Sequence, residues 1–410
     1  PVADRMYQNV IVSTVDIERL KYVLDLNVHH RRPVLFVGVA GTGKTTIVKD
    51  YLADVKAQTD ATNSTSINLN SYTTSAALQA IIMGSLEKRS GRTYGPPAHK
   101  KCIFFIDDLN MPHVDAYDTQ SAIMLLCQIF SYGQVYDRTN LDEKKDIVDV
   151  LFTACMNPKA GSFMINGRLQ RRFTVLTTYA PRHDSISGIF SQILGKHLAG
   201  FSQLISRLTD QIVACTSDIL TSIQNIPAFL PSADKFHYQF SLKDISNIFQ
   251  GVLKTSPAMY RDGQVKLLRV WLHECFRVFA DRLVSASDQA DMKLVFDKNI
   301  GKHFIGIPND EIFAQPLIMT SFLTEAQTTD RYYLPVKDMA VLKKYLEDRL
   351  NRYNDEFAAM NLVLFDDAIH HVCRIARITD NSCGSALLVG VGGSGKQSLA
   401  RLASFINAQE

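Results

Sequence analysis

No stretch of this chain approaches the roughly 20 consecutive apolar residues that a membrane-spanning helix needs, which excludes that kind of membrane protein. Charge of one sign is missing too. Lys and Arg exceed Asp and Glu by only three, 44 against 41, so no global basic field speaks for nucleic acid or an anionic membrane. There is no C-x-x-C: Cys102, Cys127, Cys155, Cys215, Cys275, Cys373 and Cys383 are scattered, odd in number and mostly set in apolar runs. That is the pattern of reduced core thiols in an intracellular protein, not of a disulfide framework. The start, Pro1-Val-Ala-Asp-Arg5, lacks both a Met and a secretory signal pattern and reads as an internal piece of a longer chain. Four of the eleven histidines come as sequence neighbours, His29-His30 and His370-His371, which on a helix diverge by about 100° and lack the i, i+4 spacing of a zinc pair. What remains is ordinary globular material, 410 residues with 46% hydrophobic and 21% charged content, long enough for about two or three domains.

The strongest positive signal follows the apolar run 34–37. Gly38-Val39-Ala40-Gly41-Thr42-Gly43-Lys44-Thr45-Thr46 fits G-x-x-x-x-G-K-[ST], a phosphate-binding loop. Its glycines let successive N–H groups and the next helix's N-terminus face phosphates, Lys44 supplies a point charge, and the Thr45 hydroxyl can reach Mg²⁺. A bland glycine turn needs neither the lysine nor the hydroxyl. The chain is expected to bind a nucleoside triphosphate.

Helical periodicity over residues 46–55 and 75–89 alternates with short apolar runs near 34–37, 65–70, 102–106, 150–156 and 173–178. Residues 90–101 read as a turn-rich basic loop. Five strands alternating with helices imply a parallel sheet. After Asp184 strand signals vanish, and helical patterns cover 186–204, 208–223, 242–253 and 265–283. Trp271, the one tryptophan, is expected in the core of that helical lid. Residues 300–335 carry Pro308, Pro316 and Pro335 and read as a linker or a small inserted sheet; 337–350 returns to an amphipathic helix.

Chemistry should gather at the strand tips. Asp107-Asp108 ends the 102–106 run, where the first carboxylate orders Mg²⁺ and the second polarises the attacking water. Glu is the usual second residue. Asp108 is one methylene shorter, and a base misplaced by about 1 Å can cost roughly a hundredfold, so slow hydrolysis is expected. Asn157-Pro158, after the 150–156 strand, is either a turn or a polar sensor for the γ-phosphate or the lytic water. Arg168, Arg171 and Arg172, in Asn166-Gly-Arg-Leu-Gln-Arg-Arg-Phe173, sit at helical spacing, as a solvated basic face or as arginines serving a neighbouring subunit's phosphates. No aromatic interleaving supports nucleic acid there.

About 350 residues downstream the pattern returns. Residues 386–398, Ala-Leu-Leu-Val-Gly-Val-Gly-Gly-Ser-Gly-Lys-Gln-Ser, read as another strand, glycine loop and lysine, a tandem arrangement. Gly390, Gly392 and Gly395 also satisfy the dinucleotide fingerprint, but Lys396 favours a phosphate loop. This second loop, Gly390, Gly393, Gly395, Lys396, Gln397 and Ser398, puts Gln397 where Mg²⁺ wants a hydroxyl.

Set side by side, Gly38–Thr45, Phe105-Ile-Asp-Asp-Leu-Asn-Met-Pro112, Cys155-Met-Asn-Pro158, residues 161–173 and Gly-Val-Gly-Gly-Ser-Gly-Lys-Gln-Ser398 resemble the dynein heavy-chain motor over nearly the whole chain. The match is to a third AAA+ module followed by the start of the fourth, with wording nearest axonemal, outer-arm chains. The resemblance implies an α/β fold: a P-loop AAA+ core with a parallel five-stranded sheet (1–182), an α-helical lid subdomain (183–300), a linker or small sheet (301–336), and the start of a second P-loop module (337–410). It implies that Val12-Ser-Thr-Val-Asp16, with Val12 and Val15, lines an adenine pocket. In the lid motif Tyr238-Gln-Phe-Ser-Leu-Lys-Asp244, it implies that Lys243 replaces the usual sensor arginine, keeping charge and losing the bidentate fork. Implied cofactors are ATP or ADP with Mg²⁺. Implied partners are neighbouring AAA+ modules and dynein subunits, with microtubules reached only through the full motor, no nucleic acid and no membrane; the implied location is cytoplasm, cytoskeleton and axoneme. Three functions remain open: a slow Mg-ATPase using Lys44, Thr45, Asp107, Asp108 and Asn157, a non-hydrolysing module holding nucleotide as a structural ligand, and a small-molecule kinase.

Overall fold

The computed structural model describes residues 10–158, 164–260, 263–323, 332–381 and 384–409. It divides into two compact units, Ile11–Ser185 and Ile186–Glu410.

In the first unit, α1 (Val15–His29), capped by Thr14, leads into β1 (Val34–Val37), and the glycine loop runs from it into α2 (Lys44–Gln58). β2 (Thr62–Asn68) and α3 (Ser75–Gly84) follow, then β3 (Glu87–Ser90), β4 (Thr93–Gly95) and β5 (Lys101–Asp107). The unit continues through α4 (Ser121–Tyr132), β6 (Gln134–Tyr136), β7 (Lys144–Ile147), β8 (Val150–Met156), α5 (Gly167–Gln170) and β9 (Thr174–Thr177). The sheet is all parallel in the order β2-β5-β8-β1-β9. Its inner strands are continuous apolar runs because both faces are covered. Leu35, Phe104, Ile106, Phe152 and Ala154 pack one core with α3 and α4 residues, and Val34, Phe36, Ile103, Phe105 and Cys155 pack the other with α1 and α2 residues. The alternation follows the pleat.

Residues 75–101 depart from the sequence reading. The helix expected to reach Arg89 stops at Gly84, and the supposed basic loop contains a strand. β3 and β4 form an antiparallel hairpin turning at Gly91 (φ +51°), and with β7 and β6 they build a second, four-stranded sheet in the order β3-β4-β7-β6. The cause is tertiary. Arg89 donates to Asp149 at 2.5 Å and to the Pro96 and Lys100 carbonyls, and a Cβ on Gly95 would lie 2.5 Å from its guanidinium. Expected strand 65–70 lies three residues earlier at its start, because β2 pairs in full register with β5 from Thr62 onward.

In the second unit, α6 (His183–Leu198), α7 (Gln203–Ser206) and α8 (Thr209–Asn225) precede α9 (Leu242–Val252). Ser241 and Asp244 close a capping box on α9. α10 (Pro257–Tyr260) and α11 (Gln264–Cys275) follow, and the helix expected to run unbroken to Leu283 passes instead into a π-turn, Phe276–Ala280. α12 (Ala286–His303), α13 (Asn309–Ile312), the two-residue strands β10 (Met319–Thr320) and β11 (Leu334–Pro335), α14 (Met339–Glu356), α15 (Asp366–Thr379) and α16 (Lys396–Ile406) complete it. Trp271 is fully buried in the lid core, its indole N–H donating to Thr216 Oγ1 at 2.9 Å.

Residues 386–389 were expected to be a strand and are not one. Leu387, Val389 and Val391 are 89%, 85% and 79% exposed, and no described strand runs beside them to take their backbone groups. A β-run without a neighbour satisfies its N–H and C=O groups in water and keeps no ladder. Among the described residues, no helix is long and apolar enough to cross a membrane, and no three or more His, Cys, Asp or Glu side chains cluster as metal ligands.

Candidate functional site

Three adjacent strand tips carry the site. Gly38 leaves β1 with its N–H on the Met156 carbonyl (3.2 Å), while beyond β9 the Thr178 N–H bonds Val37 O (2.8 Å). The loop is thus pinned from β8 and β9 at once. A Cβ at Gly38 would lie 2.2 Å from Thr178 Oγ1 and 2.4 Å from its carbonyl oxygen, so only glycine passes here. Gly41 (φ +80°) and Gly43 (φ +83°) take left-handed conformations that swing the chain into α2.

Lys44 opens α2 almost fully buried, donating from Nζ to the Gly38 and Val39 carbonyls, both at 2.8 Å. Burial lowers its pKa, against the carboxylates of Asp107 and Asp108. The ammonium is therefore held in the mouth of the loop, beside both acids. Val39, Ala40, Gly41 and Thr46 are exposed around it, and Thr42 bonds Thr178 Oγ1 at 3.0 Å.

Thr45 Oγ1 donates to Asp107 Oδ2 at 2.9 Å. The expected hydroxyl and carboxylate thus meet across the gap from the P-loop to β5. One hydroxyl and one carboxylate fit Mg²⁺, a hard ion that takes one or two protein oxygens and fills its octahedron from water and phosphate.

Asp108 follows in the left-handed region (φ +54°), which Asp tolerates better than most side chains. Desolvation at the mouth, then the like charge of Asp107, raise its pKa from the ordinary aspartate value, with Lys44 pulling the other way. Asn157, beyond β8, accepts on its backbone oxygen from Asn110 Nδ2 at 2.9 Å, and the Leu109 N–H bonds Cys155 O at 3.0 Å. Asn110 and Thr178 are buried and brace the strand tips. Thr178 carried no signal in the sequence, and Asn110 entered only as part of the 105–112 motif, because each acts through partners far away in the chain.

The other expected residues lie elsewhere. Val12 is half-buried and Val15 exposed at the start of α1. Lys243 is exposed in the first turn of α9, in the other unit. The arginines are not on a helical face of any length: α5 holds four residues, with Arg168 inside it, Arg171 as its cap and Arg172 beyond, where Arg172 Nη2 donates to Ser131 Oγ at 3.1 Å. Leu169, buried, fixes the turn. Residues 161–163 of the motif around them lie outside the described residues.

The second loop repeats the first in miniature. Lys396 Nζ donates to the Gly390 and Val391 carbonyls (2.7 and 2.6 Å) and to Ser394 Oγ (3.1 Å), and Gly393 (φ +78°) and Gly395 (φ +72°) match Gly41 and Gly43. Gln397 is exposed where Thr45 stands in the first loop, and Ser398 is half-buried.

A five-stranded parallel sheet, a P-loop, an acidic strand tip and a helical region after them define a P-loop α/β nucleotide-binding core of the AAA+ type. Family models agree: residues 2–181 match "P-loop containing dynein motor region", 216–314 match "AAA+ lid domain", and 360–410 match "P-loop containing dynein motor region D4". Dynein axonemal heavy chain 11 of Sus scrofa is 44% identical over 401 residues, 97% of this chain and 9% of that protein. The dynein beta chain, ciliary, of Tripneustes gratilla is 43% identical over 406 residues, and the dynein beta chain, flagellar outer arm, of Chlamydomonas reinhardtii 41% over 409, each covering 98% of this chain and 9% of the relative. The chain belongs to the dynein heavy-chain motor family. It spans about 9% of the length of these relatives.

Proposed function

We propose that the chain is the third AAA+ module of an axonemal dynein heavy-chain ring with the beginning of the fourth, and that it binds Mg-ATP and hydrolyses it slowly to regulate the motor's main ATPase cycle. The Thr45–Asp107 contact, with Lys44 beside it, is the observation that carries this reading. Lys44 and the loop's N–H groups hold the phosphates, and Thr45 and Asp107 hold the metal. When bound, Mg²⁺ neutralises phosphate charge that develops in the transition state. Asp108 accepts the proton of the attacking water, and Asn157 orients that water. Val12 and Val15 flank the adenine, and Lys243 is the lid's sensor residue in this reading.

Arg168, Arg171 and Arg172 act on a neighbouring module's nucleotide. The partners in this reading are the neighbouring modules of the same heavy chain and other dynein subunits, and the location is the ciliary or flagellar axoneme. Microtubules are engaged only by the whole motor. A domain boundary near residue 182, a lid to about 300, and a next module from about 337 complete the proposal.

Asp108 favours a second reading, a module that holds ADP or ATP without turnover. Its side chain is short for a base, and its backbone is turned into the left-handed region. Calorimetry and phosphate release on the 410-residue chain separate the readings. Slow phosphate release that Asp108→Asn abolishes while nucleotide binding persists supports the ATPase; binding with no release at all supports the structural ligand. No heat with either Mg-ATP or ADP, on a folded sample, sinks both.

A further inference from the structure

A cavity of about 390 Å³ opens in the 11–185 unit, lined by residues of α4, β6, β7 and α5. Its volume falls within the ordinary range of ligand sites. Three of its lining residues are cations, Lys144, Arg168 and Arg171, and none is a carboxylate. Among the described residues these three make no ion pair, because the nearby carboxylates are engaged by other groups. Asp137 pairs with Lys145 at 2.6 Å, and Asp146 takes the Arg92 guanidinium and the Gln134 amide, each at 2.6 Å.

The β6–β7 hairpin explains why Lys144 faces the cavity. Tyr136 and Lys144 are cross-strand partners, and the Lys144 ammonium stands 5.4 Å from the Tyr136 ring centre, whereas Lys145, one residue on, points to the opposite face and reaches Asp137. On the facing side, Leu169 is buried and anchors the short turn that carries Arg168 and Arg171. Cys127 shares the cavity lining with Arg168 and Arg171; burial raises its thiol's pKa, and the charges of Arg168, Arg172 and Arg171 act on it in the other direction. Three like charges around one concavity repel one another until a counter-charge enters. Guanidinium forks with an ammonium suit the spread charge and multiple acceptors of phosphate better than a single carboxylate.

We propose that Lys144, Arg168 and Arg171 form a binding site for a di- or triphosphate group, separate from both P-loops, with Lys144 as a member that the sequence pattern gave no reason to include. The site rests on the anion role assigned above to Arg168 and Arg171, and it is independent of whether the first P-loop hydrolyses ATP. The phosphates are those of a free nucleotide or of a free inorganic phosphoanion, the two sources that titration with ATP and with tripolyphosphate distinguishes.

The test uses the whole chain carrying Lys44→Ala and Lys396→Ala, which disables both P-loops, titrated by calorimetry with inorganic tripolyphosphate and with ATP. Tripolyphosphate is expected to bind, with affinity falling tenfold or more in Lys144→Ala and in Arg171→Ala and less than twofold in Lys266→Ala, a charge control in the other unit. All three side chains reach solvent, so melting curves should stay unchanged. ATP equal to tripolyphosphate assigns the site to phosphate alone; tighter ATP binding assigns it to a nucleotide whose base meets Tyr132 or Tyr136. No binding by either anion, or equal losses in Lys266→Ala, overturns the proposal. If the full motor then still slows with Arg171→Ala but not with Lys144→Ala, the arginines act in trans without this cavity, and the inference falls while the proposed function stands.

Discussion

At the scale of single residues, the site turns on groups whose environment differs from what their identity suggests. Gly38 is fixed by Thr178, so Gly38→Ala forces the loop off β9 and should cost on the order of 1–3 kcal/mol and nucleotide binding with it; calorimetry and thermal melting of the variant check both. Asp108 tests the hydrolytic reading by chemistry in the other direction. Asp108→Glu restores the missing methylene and should raise phosphate release by about tenfold or more if reach limits the rate. In the unsubstituted chain, turnover should fall as pH drops through the raised Asp108 pKa, since a protonated carboxyl cannot accept a proton. That acid limb should sit above the ordinary aspartate value of 3.8. A pH–rate profile indistinguishable from that of Asp108→Asn would remove Asp108 from the reaction. The motif residues Gly43, Lys44, Thr45 and Asp107 were legible because each is dictated by ligand chemistry at fixed spacing. The bracing role of Thr178 was not, since its partners, the Val37 carbonyl and the Thr42 hydroxyl, lie far away in the chain.

At the scale of elements, the least expected feature is a buried ion pair that ties α11 to α15. Glu274 is fully buried and Arg377 nearly so, and Arg377 Nε reaches both Glu274 oxygens, at 3.1 and 3.0 Å. The Tyr333 hydroxyl also donates to Glu274, and a Cβ on Gly251 would lie 1.9 Å from its carboxylate, so α9 too is shaped around it. Burial alone would raise the Glu274 pKa; the charge and hydrogen bonds of Arg377 outweigh it and hold the carboxyl below its ordinary 4.5. The linkage then has a definite sign. A depressed carboxyl pKa gives stability that is present above about pH 4.5 and is lost as pH falls through the folded value. Removing one partner leaves the other charge buried, so Glu274→Ala should cost about 3–5 kcal/mol. Hydrogen exchange in α11 and α15 reads it out; unchanged protection in both would show the pair to be dispensable. Lys254, just past α9, adds a second ion pair at 2.8 Å to Asp380, just past α15. None of this was readable beforehand, because Glu274 and Arg377 stand 103 positions apart in helices that each look like ordinary amphipathic segments.

At the scale of the whole molecule, two phosphate loops of nearly the same geometry lie in separate units, and the residue after the lysine is Thr45 in one and Gln397 in the other. Nucleotide should therefore protect the two units differently. Mg-ATP at a hundred times its dissociation constant stabilises its own unit by about 2.7 kcal/mol, and that protection should appear in residues 11–185 and vanish with Lys44→Ala while Lys396→Ala leaves it intact. Replacing Mg²⁺ by a chelator should weaken the first site and leave any binding at the second unchanged, since Gln397 offers no hydroxyl to the ion; equal loss at both would contradict the assignment. By itself the sequence determined the parallel nucleotide-binding core, the helical region after it and the positions of both phosphate loops, because glycine spacing, apolar runs and strand-end acids are local consequences of chemistry. Only the tertiary structure decided that residues 87–95 become a hairpin of a second sheet, that residues 386–389 stay without a ladder, and that Lys144 joins Arg168 and Arg171 around one cavity. Those outcomes depend on which backbone edges and charges find partners across the chain, and a strand, a turn or a lone cation carries no local record of the partner it will meet.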